Sequence, residues 1–161
     1  MSRRRDSTMV VVLSFLAAMA LTVMPLPDGL TWFRPYWVGL TVIYWAIENP
    51  SVINLGRAFA IGLLLDLLTG TMAGLHALSL VVIVYIVQQF RLRMRFFPLW
   101  QQALAVGAIL LNDRVIYAWI QSLSGSGVSG SEILLAPPVA VLVWPWMFLL
   151  LDRLRQRYRP R

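Results

Sequence analysis

The sequence predicts an all-α integral membrane protein with six transmembrane helices and with both termini in the cytoplasm. Of the 161 residues, 59% are hydrophobic and only 13% are charged, which leaves too little polar surface to cover a water-soluble domain of this size. The apolar residues fall into six segments, and the arginines concentrate in alternate connections between them. These observations together predict the fold class and its orientation.

The first apolar segment follows three arginines, Arg3, Arg4 and Arg5, and so superficially resembles a secretory signal peptide. The segment ends in Met24-Pro-Leu-Pro27 without a small-x-small cleavage site, and further apolar segments follow it. We therefore expect a retained first transmembrane helix.

All six segments are expected to form one transmembrane domain that covers residues 1–161. Their predicted bounds are 9–24, 36–47, 52–68, 75–90, 99–120 and 133–151. A helix perpendicular to the bilayer needs about 20 residues to cross it, and the fifth and sixth segments meet this length. The second segment is short and lies between Arg34-Pro35 and Glu48-Asn49-Pro50, so we expect it to be tilted, broken or extended by interfacial residues.

The basic residues determine the predicted orientation. All 14 are arginines, and the formal net charge is +7. With a cytoplasmic N-terminus and six crossings, only Arg34 lies outside and Arg114 lies within a span, while 12 arginines lie on the cytoplasmic side, as the positive-inside rule requires. Those 12 are Arg3, Arg4, Arg5, Arg57, Arg91, Arg93, Arg95, Arg153, Arg155, Arg157, Arg159 and Arg161. Because they lie between apolar segments, they indicate membrane orientation rather than nucleic-acid binding.

One carboxylate stands in the third segment among glycines at four-residue spacing, in Gly62-x-x-x-Asp66-x-x-x-Gly70-x-x-x-Gly74. An ionised aspartate in hydrocarbon costs a few kcal/mol or more, and glycines at this spacing allow a second helix backbone to approach closely. One interpretation is a proton or ion site, or an anchor for a partner's cation. The other is a structural carboxylate that is paired internally or hydrated near the external turn.

A second polar group, Asn112-Asp113-Arg114, lies in the fifth segment. Neighbouring helix residues point about 100° apart, so Asp113 and Arg114 need partners on different surfaces, and we hypothesise an ion pair between Asp66 and Arg114. His76 is the only histidine and has no second metal ligand or nucleophile nearby in the sequence, so we expect a packing or interfacial position. No motif indicates an enzyme, a cofactor or a metal site.

The seven tryptophans lie mostly near the predicted span ends, as in an aromatic belt at the membrane surface. Trp144-Pro145-Trp146 lies inside the sixth segment, where Pro145 removes a backbone donor and leaves a carbonyl that a neighbour can use. This aromatic, proline-containing face is a candidate for partner docking, and interfacial anchoring explains the tryptophans equally well. The arginine-rich tail is expected to bind anionic lipid.

Taken together, these residues resemble the MreD family of bacterial rod shape-determining membrane proteins over nearly the whole chain. The resemblance rests on Met24-Pro-Leu-Pro-Asp28, on Phe33-Arg-Pro35 followed by Tyr44-Trp45, and on the glycine-flanked Asp66 segment that continues to Ala77-Leu78. Leu99-Trp-Gln-Gln-Ala-Leu104 and Trp144-Pro-Trp146 before the basic tail complete it. Asn112-Asp113-Arg114 departs from the pattern, which calls for a more apolar stretch around the acidic residue.

The resemblance implies a noncatalytic scaffold of the cell-elongation machinery in the bacterial inner membrane. Its implied partner is MreC, a single-span periplasmic protein, and through MreC the MreB filaments, the glycan polymerase RodA and a penicillin-binding transpeptidase. The implied fold is similar to that of the substrate-binding components of vitamin ECF transporters. For helix packing or partner contact we therefore expect Gly62, Asp66, Gly70, Gly74 and the Trp144–Trp146 motif, with Asp28 and Arg34 as external contacts.

The alternative function is that of a component that binds a small molecule or a lipid-linked precursor, as an ECF substrate-binding subunit does. It requires an outward-open cavity lined by polar residues from several helices. Asp66, Asn112 and Asp113 are the candidates for that lining.

Overall fold

The computed structural model of the chain describes residues 2–25, 27, 34–123, 125 and 130–157, with the description of residues 2–7 and 130–136 restricted to the backbone. The described residues form six α-helices and are otherwise turns and extended connections, which confirms the all-α prediction. The helices are α1 Ser2–Val23, α2 Trp37–Glu48, α3 Leu55–Thr69, α4 Leu75–Phe96, α5 Leu99–Leu123 and α6 Gly130–Arg157.

Three helical stretches of the described chain are long and apolar enough to cross a membrane, namely Leu75–Phe96, Leu99–Leu123 and Pro137–Arg157. The apolar part of α1, Thr8–Val23, and the whole of α2 are shorter. With a rise of about 1.5 Å per residue, α2 and α3 are about 18 and 23 Å long. Both are thus shorter than the hydrocarbon core, which is about 30 Å thick.

Several helices extend beyond the apolar segments that predicted them. Helix α1 begins at Ser2 rather than at residue 9, α4 continues to Phe96, and α6 runs from Gly130 to Arg157. The added residues include most of the arginines, and arginine is a good helix former. The hydrophobic pattern therefore marked the apolar stretches and not the ends of the helices.

Helix α2 lies at the centre of the bundle. Each of its residues from Val38 to Ile47 is buried, and it packs against α1, α4, α5 and α6. Trp45 Nε1 donates a hydrogen bond of 2.9 Å to Ser14 Oγ of α1, and the Tyr44 ring meets Phe148 of α6 edge to face at 5.4 Å. The short second segment is thus covered by protein, so its length does not have to match the bilayer.

Helices α3 to α6 form two antiparallel pairs, α3 with α4 and α5 with α6, and α4 joins the pairs to each other and to α2. Helix α1 packs mainly against α2. Gln102 of α5 connects the second pair to α4, because its Nε2 donates to Met94 O at 3.1 Å and its Oε1 accepts from Trp144 Nε1 at 3.1 Å. Trp144 and Trp45 are fully buried, so the aromatic-belt interpretation is wrong for these two residues. Trp146 is 78% exposed.

Arginine side chains gather at one end of the bundle, which we call the basic end, and bind the end of α2 and the α2–α3 connection there. Arg91 Nε of α4 donates to Ile47 O at 2.8 Å, and Arg57 Nη1 of α3 donates to Ser51 O and Val52 O at 2.8 Å each. At the same end, Arg155 of α6 pairs with Glu48 of α2 and with Asp152. The carbonyls of Ile47, Ser51 and Val52 lie in the last turn of α2 or in the connection after it, where intrahelical donors are missing.

Candidate functional site

Asp66 lies beside the turn that joins α3 to α4, and two glycines shape this turn. Gly70 ends α3 with φ 67°, and its N–H donates to Asp66 O; Gly74 precedes α4 with φ 101°. Both glycines adopt the left-handed region, which side chains with a Cβ rarely enter. The two helices therefore reverse direction within the five residues 70–74.

The Asp66 carboxylate is 2% exposed and closes this turn through four contacts. Its Oδ2 accepts from Gly74 N at 2.8 Å, and its Oδ1 accepts from His76 N at 3.0 Å and from Thr71 Oγ1 at 2.9 Å. His76 Nδ1 lies 2.8 Å from the same Oδ1. The carboxylate thus satisfies N–H groups at the start of α4, where they lack intrahelical acceptors and where the helix dipole favours a negative charge.

Gly62 lies one turn before Asp66 and allows α3 and α4 to touch. A Cβ on Gly62 would come within 2.7 Å of His76 O and closer still to the backbone of Ala77. The groove that this glycine leaves is therefore filled by α4 of the same chain. Gly62, Asp66, Gly70 and Gly74 lie together in one helical hairpin, whose contacts are internal to the chain.

His76 is the member of this site that the sequence did not reveal. It lies ten residues after Asp66, and only the antiparallel register of the hairpin brings its ring nitrogen to the carboxylate. The signal in the sequence was the pair of glycines between them, which predicts a tight reversal and so places residues on either side of it opposite each other.

The predicted ion pair between Asp66 and Arg114 is wrong. The Arg114 guanidinium instead lies over two aromatic rings, 5.3 Å from the centre of Tyr36 and 5.6 Å from that of Tyr117. A cation in this position is attracted by the negative face of each ring, so Arg114 has favourable partners other than Asp66. The same two rings flank His76 at centroid distances of 6.0 and 6.1 Å.

The other two residues of the polar group in α5 face different surroundings. Asp113 is 3% exposed and accepts a hydrogen bond from Ser79 Oγ of α4, which joins α4 to α5. Asn112 points to the outer face of α5 and is exposed. Of the three candidates for a polar cavity, Asn112 thus lies apart from Asp66 and Asp113, and these two carboxylates are hydrogen-bonded to different groups of the chain.

Of the two external contacts expected for a partner, Asp28 lies outside the described residues. Arg34 is bound within the chain, where Nη1 donates to Thr22 O at 2.6 Å and Nη2 donates to Met24 O. These carbonyls belong to the last turn of α1 and the residue after it, so Arg34 places a positive charge at the C-terminal end of that helix.

Three apolar grooves lie between helices on the outer surface of the described chain. One of about 350 Å³ lies between α1 and α6, one of about 480 Å³ between α1 and α3, and one of about 370 Å³ between α5 and α6. Neither Asp66 nor Asp113 lines any of these three grooves. The polar groups of the interior are used where helices meet, while these grooves present apolar side chains.

This architecture defines a class: a helical membrane protein whose buried carboxylates Asp66 and Asp113 join its own helices. Residues 3–154 match the family described as rod shape-determining protein MreD. Because the match spans nearly the whole sequence, the chain belongs to the MreD family. A rod shape-determining protein MreD of Haemophilus influenzae is 30% identical over 145 residues, which are 90% of each chain. No solved structure matches the chain.

Membership in this family confirms the resemblance that the sequence motifs indicated. It supports a role in determining rod shape and places the chain among membrane proteins that serve cell shape.

Proposed function

We propose that the chain is a noncatalytic scaffold of the bacterial cell-elongation machinery, which binds an MreC-like single-span protein in the inner membrane. Through that partner it would connect to MreB filaments, to a RodA polymerase and to a penicillin-binding transpeptidase, and so support lateral peptidoglycan synthesis. The family match supplies the link to rod shape.

The observation that carries this proposal is the use of the buried polar groups. Asp66 accepts four contacts from the α3–α4 turn and α4, and Asp113 accepts from Ser79. Catalysis or ion transport needs such groups to face a substrate or an aqueous path. Here they fix how helices pack, which is the property that a scaffold requires.

The proposed topology has six crossings with both termini in the cytoplasm. It is supported by the basic end, where Arg91 and Arg155 bind the last residues of α2 and Arg57 binds the connection that follows. Arginines favour the cytoplasmic side. The two short helices α2 and α3 would cross as parts of the bundle, with α2 shielded from lipid by its neighbours.

The alternative function, a binder of a small molecule or a lipid-linked precursor with an ECF-like fold, has less support. It requires Asp66, Asn112 and Asp113 around one cavity, and these residues face a helix end, the outer surface and Ser79 respectively. The three surface grooves are lined mainly by apolar side chains and offer few groups to recognise a polar headgroup.

The experiment that tests the proposal is depletion of the chain in its host, combined with affinity purification from membranes. We expect depleted cells to become round, and we expect the tagged chain to retain the MreC-like protein of the same organism. Normal rods after depletion, or a chain that purifies without this protein, would contradict the proposal.

A further inference from the structure

The outer face of α5, a helix long and apolar enough to cross a membrane, carries a polar side chain. Asn112 lies near the middle of this 25-residue helix, and its side chain is exposed. Within the part of the chain that the structure describes, its amide forms no hydrogen bond. An amide has donors and acceptors that hydrocarbon cannot satisfy, so its exposure to lipid costs free energy. A partner that supplies a hydrogen bond would remove this cost.

An apolar groove of about 370 Å³ lies next to Asn112, between α5 and α6. Ala108 lines the groove one helical turn before Asn112, so both residues lie on the same face of α5. Small residues such as Ala108 allow another helix backbone to approach closely. The complete lining is Leu104, Gly107, Ala108, Leu111, Pro137, Pro138 and Val141.

The α6 side of this groove contains an unusual backbone acceptor. Pro145 has no N–H, so the carbonyl of Val141, four residues earlier, lacks its intrahelical donor. Val141 is one of the residues that line the groove. In membrane helices, such freed carbonyls are satisfied by neighbouring helices, by Ser or Thr side chains, by ordered water or by local changes of helix geometry. The Asn112 amide beside the groove and the Val141 carbonyl of α6 are therefore two hydrogen-bonding groups in this part of the α5–α6 pair.

We propose that the α5–α6 groove with Asn112 is the docking site for one transmembrane helix of a partner protein. That helix would place small residues against Ala108 and a hydrogen-bonding side chain against the Asn112 amide. A lipid acyl chain has no group to bond the amide, and the proposed scaffold function assigns the docking helix to a different protein. This inference rests on the proposed scaffold function and identifies the face that function uses.

The groove between α1 and α3 is the internal comparison. It is larger, at about 480 Å³, and Ala60 lines it much as Ala108 lines the α5–α6 groove. Arg57 at one end is the charged residue of its lining, which otherwise consists of apolar side chains and Thr8. Without an unpaired amide at mid-depth, this groove matches lipid chains rather than a polar membrane helix.

The test compares Ala108→Trp with Ala60→Trp in the full chain, reconstituted in nanodiscs with the MreC-like single-span protein of the same organism. We expect Ala108→Trp to weaken binding at least tenfold because the indole fills the groove, while Ala60→Trp binds as wild type. Asn112→Leu should weaken binding about 3- to 30-fold, the range for one interhelical hydrogen bond. Asn112→Gln, which keeps the amide, should recover part of that loss.

A photo-crosslinking residue at Leu111 gives a second readout that does not depend on filling the groove. We expect it to capture the partner, whereas the same residue at Leu64, in the α1–α3 groove, does not. Capture of a second copy or of lipid alone at Leu111 would overturn the inference, as would equal binding by Ala108→Trp and wild type. If the wild-type chain itself fails to bind, the scaffold function is wrong and the inference falls with it.

Discussion

At the scale of single residues, the glycine-flanked aspartate joins two helices. Gly62 lets α3 and α4 touch, Gly70 and Gly74 turn the chain, and Asp66 binds the first N–H groups of α4. The sequence alone marked these four positions by their spacing. It left open whether the carboxylate binds an ion, binds a partner or stabilises the fold. The hydrogen bonds from Gly74 N and His76 N favour a role in stabilising the fold.

Replacement of Gly62 by alanine tests the close approach of α3 and α4. The added Cβ would lie within 2.7 Å of His76 O, so the helices must separate, and we expect a loss of about 1–3 kcal/mol in the free energy of unfolding. Gly56→Ala in the same helix is the matched control, because a Cβ there meets only Asn54 Oδ1 at 3.7 Å. Denaturation by SDS in mixed micelles measures both, and equal stability of the two variants would refute the account of Gly62.

Replacement of Asp66 by alanine tests the closure of the turn. It would leave Gly74 N–H and His76 N–H without an acceptor, and each buried donor left unpaired costs about 1–3 kcal/mol. Asp66→Asn keeps one carbonyl oxygen and should lose less. Backbone hydrogen exchange at residues 74–76 should accelerate in the alanine variant. Unchanged protection there would show that the carboxylate does not hold the start of α4.

At the scale of helices and connections, arginine side chains substitute for missing backbone partners. Arg34 binds the end of α1, Arg91 binds the end of α2, and Arg57 binds the connection before α3. Each places a positive charge where carbonyls are unpaired. The arginines that predicted orientation thus also fix the helix ends.

A comparison of Arg91→Leu with Arg93→Leu separates this structural role from net charge. Both variants remove one positive charge from the same end of α4. Arg91 is half-buried and bound to Ile47 O, whereas Arg93 is exposed. We expect Arg91→Leu to lower the free energy of unfolding by about 1–2 kcal/mol. Arg93→Leu should change it by less than about 0.5 kcal/mol. If both variants lowered the free energy of unfolding by a similar amount, the effect would come from the lost charge and not from the hydrogen bond of Arg91.

The sequence predicted where helices form better than it predicted which residues are buried and which side chains contact each other. All six apolar segments contain a helix, because an apolar run of this kind forms one. Burial was not predictable for α2 or for Trp45 and Trp144, since lipid and protein interior are equally apolar and leave the same pattern. The partner of Arg114 was also missed, because aromatic rings attract a cation without carrying a charge that sequence inspection can pair.

At the scale of the whole molecule, the helices form a bundle with two different ends. The basic end holds the start of α3 and the ends of α2, α4 and α6, and the opposite end holds the α3–α4 turn and Arg34. The central α2 is enclosed by its neighbours, and the outer surface offers the grooves. The surface that such a molecule offers to other membrane proteins consists of helix faces and the grooves between them.

Single cysteines test the proposed orientation cleanly, because the chain contains none of its own. Ser122→Cys lies near the end of α5 and Ser51→Cys lies in the α2–α3 connection, and both serines are exposed. We expect a membrane-impermeant maleimide to label Ser122→Cys in spheroplasts and to label Ser51→Cys only in inverted vesicles. In the proposed topology, α3, α4 and α5 cross the membrane between these two positions. Labelling of both cysteines from the same side would contradict this.

The most direct test of the central claim is the binding of the purified wild-type chain to its MreC-like partner in nanodiscs, measured at micromolar concentration. We expect a stable association that does not require any other component of the elongation machinery. Two proteins that remain separate under these conditions, while each is folded and monodisperse, would contradict the claim that this chain is a membrane scaffold.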